Sequence, residues 1–327
     1  MDIWALSDLC TPWCIHVVST LKVANHLDAG VTQIDDLASA CGAHPESLQR
    51  VVRHLIGKGL FAEPSPGVFA LNDDAKALLD PGLQLGLDLD SFGGRMARSW
   101  STLLTAVETG APAYEEVFGR PFWEDLQAHP QIGEAFDHLM GPQGHGAPDP
   151  DIPLASGWDS VRTVVDVGGG TGALLAAILQ AHPGIRGVLV DQPPTVARSG
   201  ALLEAAGVSD RVTAVGQSFF DPLPVGGDVY LLKSILSDWP DREAREILAR
   251  CADAAGPHGR VVLVNGATEA DPPPPELLMM VLLGGKLRSL REFRELAASA
   301  NLEIVAAVKK KDRFTVECRP VFPAVGC

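Results

Sequence analysis

The 327-residue sequence lacks several features that would commit it to a class of function. No apolar run approaches the roughly 20 residues of a membrane span. The N-terminus, with Asp2 and Asp8, lacks the basic start and apolar core of a signal peptide. Basic residues are few: 26 Lys+Arg stand against 41 Asp+Glu, a net charge of −15 with no long acidic run. That balance argues against binding a phosphate backbone, which needs clustered Lys and Arg. Six cysteines lie far apart and none forms a C-x-x-C pair, which reads as free thiols of a cytoplasmic protein. Cys10, Cys14 and His16 could suggest a metal, but no fourth ligand is near in sequence. Buried helix thiols are the favoured reading and no metal is assigned.

What is present centres on Val164-Val165-Asp166-Val167-Gly168-Gly169-Gly170-Thr171-Gly172. A β-branched run stops at an acid, breaks into glycines and leads into an apolar helical stretch. Glycine lets a backbone turn sharply and approach a ligand, and the helix start offers free N–H groups. The register is G-x-G-x-G, not the G-x-G-x-x-G of dinucleotide sites. A second strand run ends in Asp191, about 20 residues on, where an acid that pairs with ribose hydroxyls belongs.

Around this motif the chain predicts three parts: a domain over 1–85, a helical linker and pocket region with a lid over 86–157, and a nucleotide-binding domain over 158–327. Residues 1–30 show helical spacing of apolar side chains. Helices over 33–39, capped by Thr32, and 46–58, then a hairpin of 60–62 with 68–71, describe a winged helix. It reads as a dimerisation module. DNA binding through Gln49, Arg50, Arg53 and Lys58 is disfavoured by the acidity. Helices are predicted over 74–79, 83–107 and 121–140. Their aromatic residues and Met140 serve either as core or as walls for a flat substrate, with Trp100, Trp123, Met140 and, further along the chain, Leu287 the expected substrate contacts. Residues 141–157, rich in Gly and Pro, read as a linker or lid. They carry His145, a solvated loop histidine or a catalyst. From 161 onward strands (163–167, 187–190, 212–215, 228–233, 260–264) alternate with helices (173–181, 195–206, 242–254), which argues for an α/β, doubly wound parallel sheet. Helices over 276–283 and 289–299 and strands over 302–308 and 314–318 complete the chain.

The chain resembles the S-adenosylmethionine (SAM)-dependent small-molecule O-methyltransferases of bacterial natural-product pathways, close in pattern to those acting on naphthoate and anthracycline rings. The resemblance rests on the glycine motif, Phe122-Trp123-Glu124, Ser218-Phe219-Phe220-Asp221-Pro222-Leu223-Pro224, Leu232-Lys233-Ser234-Ile235-Leu236-Ser237-Asp238-Trp239, and Gly284-Gly285-Lys286-Leu287-Arg288-Ser289. It implies a Rossmann-like SAM domain, an N-terminal winged-helix dimerisation domain, a homodimer, and an aromatic or polyketide-like substrate of secondary metabolism, with no nucleic acid or membrane partner. It also implies that Asp166, Gly168 and Gly170 line the methionine end of SAM and that Asp191 takes the ribose. Ser218 and Phe219 sit by the adenine; Lys233 and Trp239 flank the cofactor. Relatives read L-H-D-W where this chain has Ser237, so the usual proton-accepting histidine is replaced. An acid expected near Asn265-Gly266 is missing, with Gly266 at its place, and Leu287 stands where another acid follows Gly-Gly-Lys. The catalytic candidates become Ser237, Asp238 and His145, although Asp238 also suits a packing or capping role. These changes favour methyl transfer to an already activated O, N or C nucleophile. They leave open a non-methylating reaction around bound SAM.

Overall fold

The computed structural model describes residues 2–142, 148–310 and 313–321. They fall into two compact units, Met1–Arg98 with Gln131–His145, and Ser99–Pro130 with Gly146–Cys327. His145 and the centre of the expected lid lie outside the described residues. Among the described residues, no helix is long and apolar enough to cross a membrane.

In the first unit the run over 1–30 is three helices, α1 (Ile3–Leu6), α2 (Cys10–Thr20) and α3 (Val23–Asp28). The Asp8 carboxylate breaks the first junction by accepting the backbone N–H groups of Cys10 and Thr11. Lys22, left-handed at φ 52°, breaks the second. The winged helix follows as α4 (Ile34–Cys41), α5 (Pro45–Ile56), β1 (Ala62–Ser65) and β2 (Val68–Ala70). Gln33, rather than Thr32, occupies the N-cap of α4. Leu37, Leu48, Val52, Leu55, Phe61 and Phe69 form its buried core with Val18 and Leu27. The expected long helix over 83–107 is divided into Pro81–Leu87, Phe92–Ser99, a 3-10 turn at Trp100–Thr102 and Leu103–Thr109. A Cβ on Gly94 would stand 2.0 Å from the Leu89 carbonyl oxygen, so the chain bends back on itself there. The stretch over 121–140 splits into Phe122–Ala128 and Pro130–Met140, because a helix stops before proline.

The second unit holds a seven-stranded sheet of β3 (Thr163–Val167), β4 (Arg186–Asp191), β5 (Val212–Gly216), β6 (Val229–Lys233), β7 (Arg260–Val264), β10 (Leu302–Lys310) and β11 (Arg313–Pro320). Two short strands, β8 (Ala267–Thr268) and β9 (Arg288–Ser289), pair separately. The order is β10-β11-β7-β6-β3-β4-β5, with β11 alone running antiparallel to the rest. The central strands are apolar on both sides, as strands covered by helices on both faces must be. Val165, Val167, Tyr230 and Leu232 enter one core, and Val164, Leu189, Val229 and Leu231 the other. The chain runs outward from β3 to β5, then returns to β6 on the other side of β3. The carboxyl ends of β3 and β6 thus flank the crevice where such sheets take ligands.

Candidate active site

The glycine loop leaves β3 under constraints written in its sequence. Gly168, Gly170 and Gly172 have φ of 71°, 61° and 85°, conformations that side chains other than glycine's resist. Gly168 N–H donates to the Val190 carbonyl at 2.8 Å and anchors the loop on β4. Gly170 N–H donates to Asp191 Oδ2 at 2.7 Å, and Gln192 N–H donates to Asp191 Oδ1 at 2.7 Å. The acid expected to pair with ribose therefore also braces the loop.

Asp166 lies under this loop, 2 % exposed. Its Oδ2 has no hydrogen-bond partner. Burial, together with the nearby charge of Asp191, pushes its carboxyl up to about 7, against the opposing pull of Lys233 at the end of β6. A buried, unpartnered acid beside an open glycine loop fits a ligand that brings a positive group. Gly169, which the spacing rule treats as a free position, has a reason of its own: a Cβ there would stand 2.6 Å from Asp166 Cγ and Oδ2.

An aromatic nest closes one side. Trp239 stacks on Trp123 at 6.0 Å between ring centroids, with planes 17° apart. Phe219 and Phe220 meet Trp239 edge-on at 5.8 and 5.0 Å. The Ser218 hydroxyl accepts the Phe220 N–H at 3.2 Å and shapes that turn.

After β6 the chain passes through Ser234, left-handed at φ 56°, into the 3-10 turn Leu236–Asp238. Asn265, left-handed at φ 59°, follows the neighbouring β7. Non-glycine residues held in this conformation cluster at functional sites. Both line a cavity of about 370 Å³, together with Ser237, Glu276 and Leu287. Gly266 is buried and lies off the cavity lining, with Asn265 there instead. Asp238, next to Ser237 in the chain, is half-buried. Burial and the nearby charge of Glu276 push its carboxyl up to about 7.

Sequence reasoning passed over Arg288, only 1 % exposed. Its guanidinium donates to the carbonyls of Leu236 at 2.7 Å and Trp239 at 2.8 Å, and to Asp241 Oδ1 at 2.8 Å. The turn carrying Ser237 and Asp238 hangs on this side chain. Gly285 packs against the same turn, where a Cβ would meet the Ser237 carbonyl at 2.1 Å. The Gly-Gly-Lys-Leu-Arg string was the available signal.

Of the expected site residues, Asp166, Gly168, Gly170, Asp191 and Lys233 cluster at the carboxyl ends of β3, β4 and β6. Ser218, Phe219, Trp123 and Trp239 belong to the aromatic nest and its turn, and Ser237 and Leu287 line the cavity. Trp100 is exposed and is absent from that lining; Met140 ends a helix of the first unit.

A family profile described as an O-methyltransferase domain matches residues 100–303, and one described as an O-methyltransferase dimerisation domain matches residues 4–81. The chain is 42% identical over 311 residues, 93% of this chain and 92% of the relative, to a 2,7-dihydroxy-5-methyl-1-naphthoate 7-O-methyltransferase of Streptomyces carzinostaticus. It is 36% identical over 318 residues, 92% of this chain and 83% of the relative, to an aclacinomycin 10-hydroxylase of Streptomyces purpurascens. Among solved structures it resembles an O-methyltransferase from neocarzinostatin biosynthesis in complex with SAM and 2-hydroxy-5-methyl naphthoic acid. There the TM-score is 0.92 at 38% identity, covering 98% of this chain and 99% of the other.

Proposed function

We infer the function from one premise: this chain belongs to the O-methyltransferase family and carries both its methyltransferase and its dimerisation domain. It is a SAM-dependent methyltransferase of the kind found in antibiotic biosynthesis. The non-methylating alternative is not supported by the matched family profile.

The proposed reaction is methyl transfer to a hydroxyl on an aromatic, polyketide-like small molecule. Asp166, Gly168 and Gly170 hold the methionine end of the cofactor, with Lys233 beside them. Asp191 takes the ribose, and Ser218, Phe219 and Trp239 take the adenine side. Trp123 and Leu287 serve the flat acceptor. The unpartnered Asp166 carboxylate beneath the open glycine loop supports this arrangement. Bound SAM supplies a methyl group on a sulfonium, which needs alignment more than activation.

The residues in this chain then manage one proton. Serine alone is too weak a base near neutral pH. Here Ser237 adjoins Asp238, whose carboxyl burial pushes up to about 7. Ser237 Oγ accepts the acceptor's hydroxyl proton as its own proton passes to Asp238. An aspartate tuned near the working pH is suited to that role. The observation that carries the reading is Ser237 on the cavity wall with the raised carboxyl of Asp238 next to it in the chain.

The test is mass spectrometry of the protein with SAM and a panel of phenolic and naphthoate acceptors. The expected result is one methyl gained per S-adenosylhomocysteine formed. At saturating SAM, kcat rises with pH and levels above about 7, as Asp238 loses its proton. Asp238→Asn removes that limb and lowers kcat by about 10²-fold. An acceptor changed with SAM unconsumed overturns methyl transfer. An unaltered pH profile in Asp238→Asn overturns the proton route alone.

The first helices supply the homodimer surface in this reading. Ile3, Trp4, Leu6, Leu9 and Trp13 are all exposed, Trp4 at 88 %. An apolar patch of that kind marks a protein contact.

A further inference from the structure

Methyl transfer makes no use of a cluster in the dimerisation domain. Cys10 begins α2, and Cys14 follows one turn later on the same face, since i and i+4 side chains are neighbours on a helix. Their sulfurs stand 3.8 Å apart. The third member is not His16, whose Nδ1 is held 2.8 Å from the Leu87 carbonyl. It is His54, which α5 brings in from 40 residues further along the chain. One ligating atom from each of Cys10, Cys14 and His54 lies within 4.8 Å of the others.

We propose that Cys10, Cys14 and His54 bind one zinc(II) ion, or a cation of the same borderline-soft character, and so clamp α2 onto α5. Three observations support this. First, zinc–sulfur bonds of about 2.3 Å in a tetrahedron place two sulfurs about 3.8 Å apart, the separation seen here. Second, the neighbouring hydrogen bonds set the tautomer of His54. The Thr11 hydroxyl spends its one hydrogen on Asp8 Oδ2 at 2.5 Å, so at His54 Nε2, 2.9 Å away, Thr11 accepts. Nε2 then carries the ring proton, and Nδ1 keeps the lone pair. Metal-binding histidines are commonly held this way, by an outer partner on the other ring nitrogen. Third, that outer partner is itself fixed. Asp8 accepts the N–H groups of Cys10 and Thr11 and pairs with Lys58 at 3.1 Å. Cys10 is exposed, which leaves water to fill the fourth position.

Binding exchanges two thiol protons for the ion: two S–H bonds break, two S–metal bonds form, and both protons leave to solvent.

Cobalt(II) is the probe, titrated into the reduced full-length protein. The expected result is one cobalt per chain, with thiolate-to-metal charge-transfer absorption that equimolar zinc abolishes. His54→Gln and Cys10→Ser each weaken binding by at least about 10-fold, with far-UV circular dichroism unchanged. Cys10 is exposed, so its replacement tests the site without opening the core. Absence of charge-transfer absorption from the wild-type protein overturns the proposal. So does absorption that persists unchanged in both variants.

Discussion

A methyl group at position 169 has nowhere to go. It would press on the Asp166 carboxyl from one side and on Leu189 Cδ1 from the other, both at 2.6 Å. Gly169→Ala is expected to cost about 1–3 kcal/mol, the usual range for forced overpacking. It should also lower SAM affinity in calorimetry. At Gly170 a Cβ meets nothing within 4 Å, and only its φ of 61° objects. Gly170→Ala should therefore cost about 1–2 kcal/mol, so thermal melts of the two variants separate crowding from conformation. Asp166 gives a pH signature. Its folded pKa is raised, so its contribution to stability is greatest at low pH and is lost as pH climbs through about 7. The ammonium of a bound methionine end would favour the ionised carboxylate and reverse that loss. The SAM-induced rise in Tm should thus be larger at pH 8 than at pH 6, and Asp166→Asn should flatten the difference. At this scale the sequence disclosed the alternate glycines and Asp191. It concealed Gly169 and Arg288, whose reasons are contacts with residues distant in the chain.

The turn bearing Ser237 is held by another element in addition to its own hydrogen bonds. Arg288, at the start of β9, satisfies two of its carbonyls. Arg288→Met keeps much of the volume but takes the guanidinium donor from both carbonyls, leaving Leu236 only the longer bond from Trp239 N–H at 3.4 Å. The cost should be about 2–4 kcal/mol for buried carbonyls that lose a charged donor. Because the turn carries Ser237 and Asp238, kcat should fall more than SAM affinity does, which steady-state rates beside calorimetry would reveal. Helical periodicity found the helices here but not their breaks. The spacing of apolar residues continues across Asp8, Lys22 and Asp88, where a side-chain cap or a local backbone conformation interrupts the hydrogen-bond ladder. Proline at 130 was a visible stop. Asp8 becomes one only when its carboxylate is seen on two backbone N–H groups.

For the whole molecule, alternation of strand and helix was enough to announce a parallel sheet, because buried strands read as apolar runs between amphipathic helices. Strand order was not legible, since which neighbour a strand chooses leaves little mark on its own residues. The exposed face of α1 and α2 shows as apolar spacing in sequence and as uncovered surface in the fold. Sedimentation at micromolar concentration should report a dimer. Trp4→Glu with Leu9→Glu should shift it to monomer while leaving the circular dichroism spectrum unchanged, since neither side chain is buried in the chain. A monomeric wild type would remove the dimer assignment.

The order of the central strands bears on how such an enzyme changes over time. The loop proposed to hold the cofactor follows β3, while the turn proposed to handle the proton follows β6, its neighbour in the sheet. The two are adjacent in space, yet separate stretches of chain encode them. Substitutions in 234–239 and 285–288 can accumulate, or be randomised in a library, without entering 166–172. A lineage can thus discard one reaction chemistry and try another while never losing its hold on the expensive part of the substrate pair.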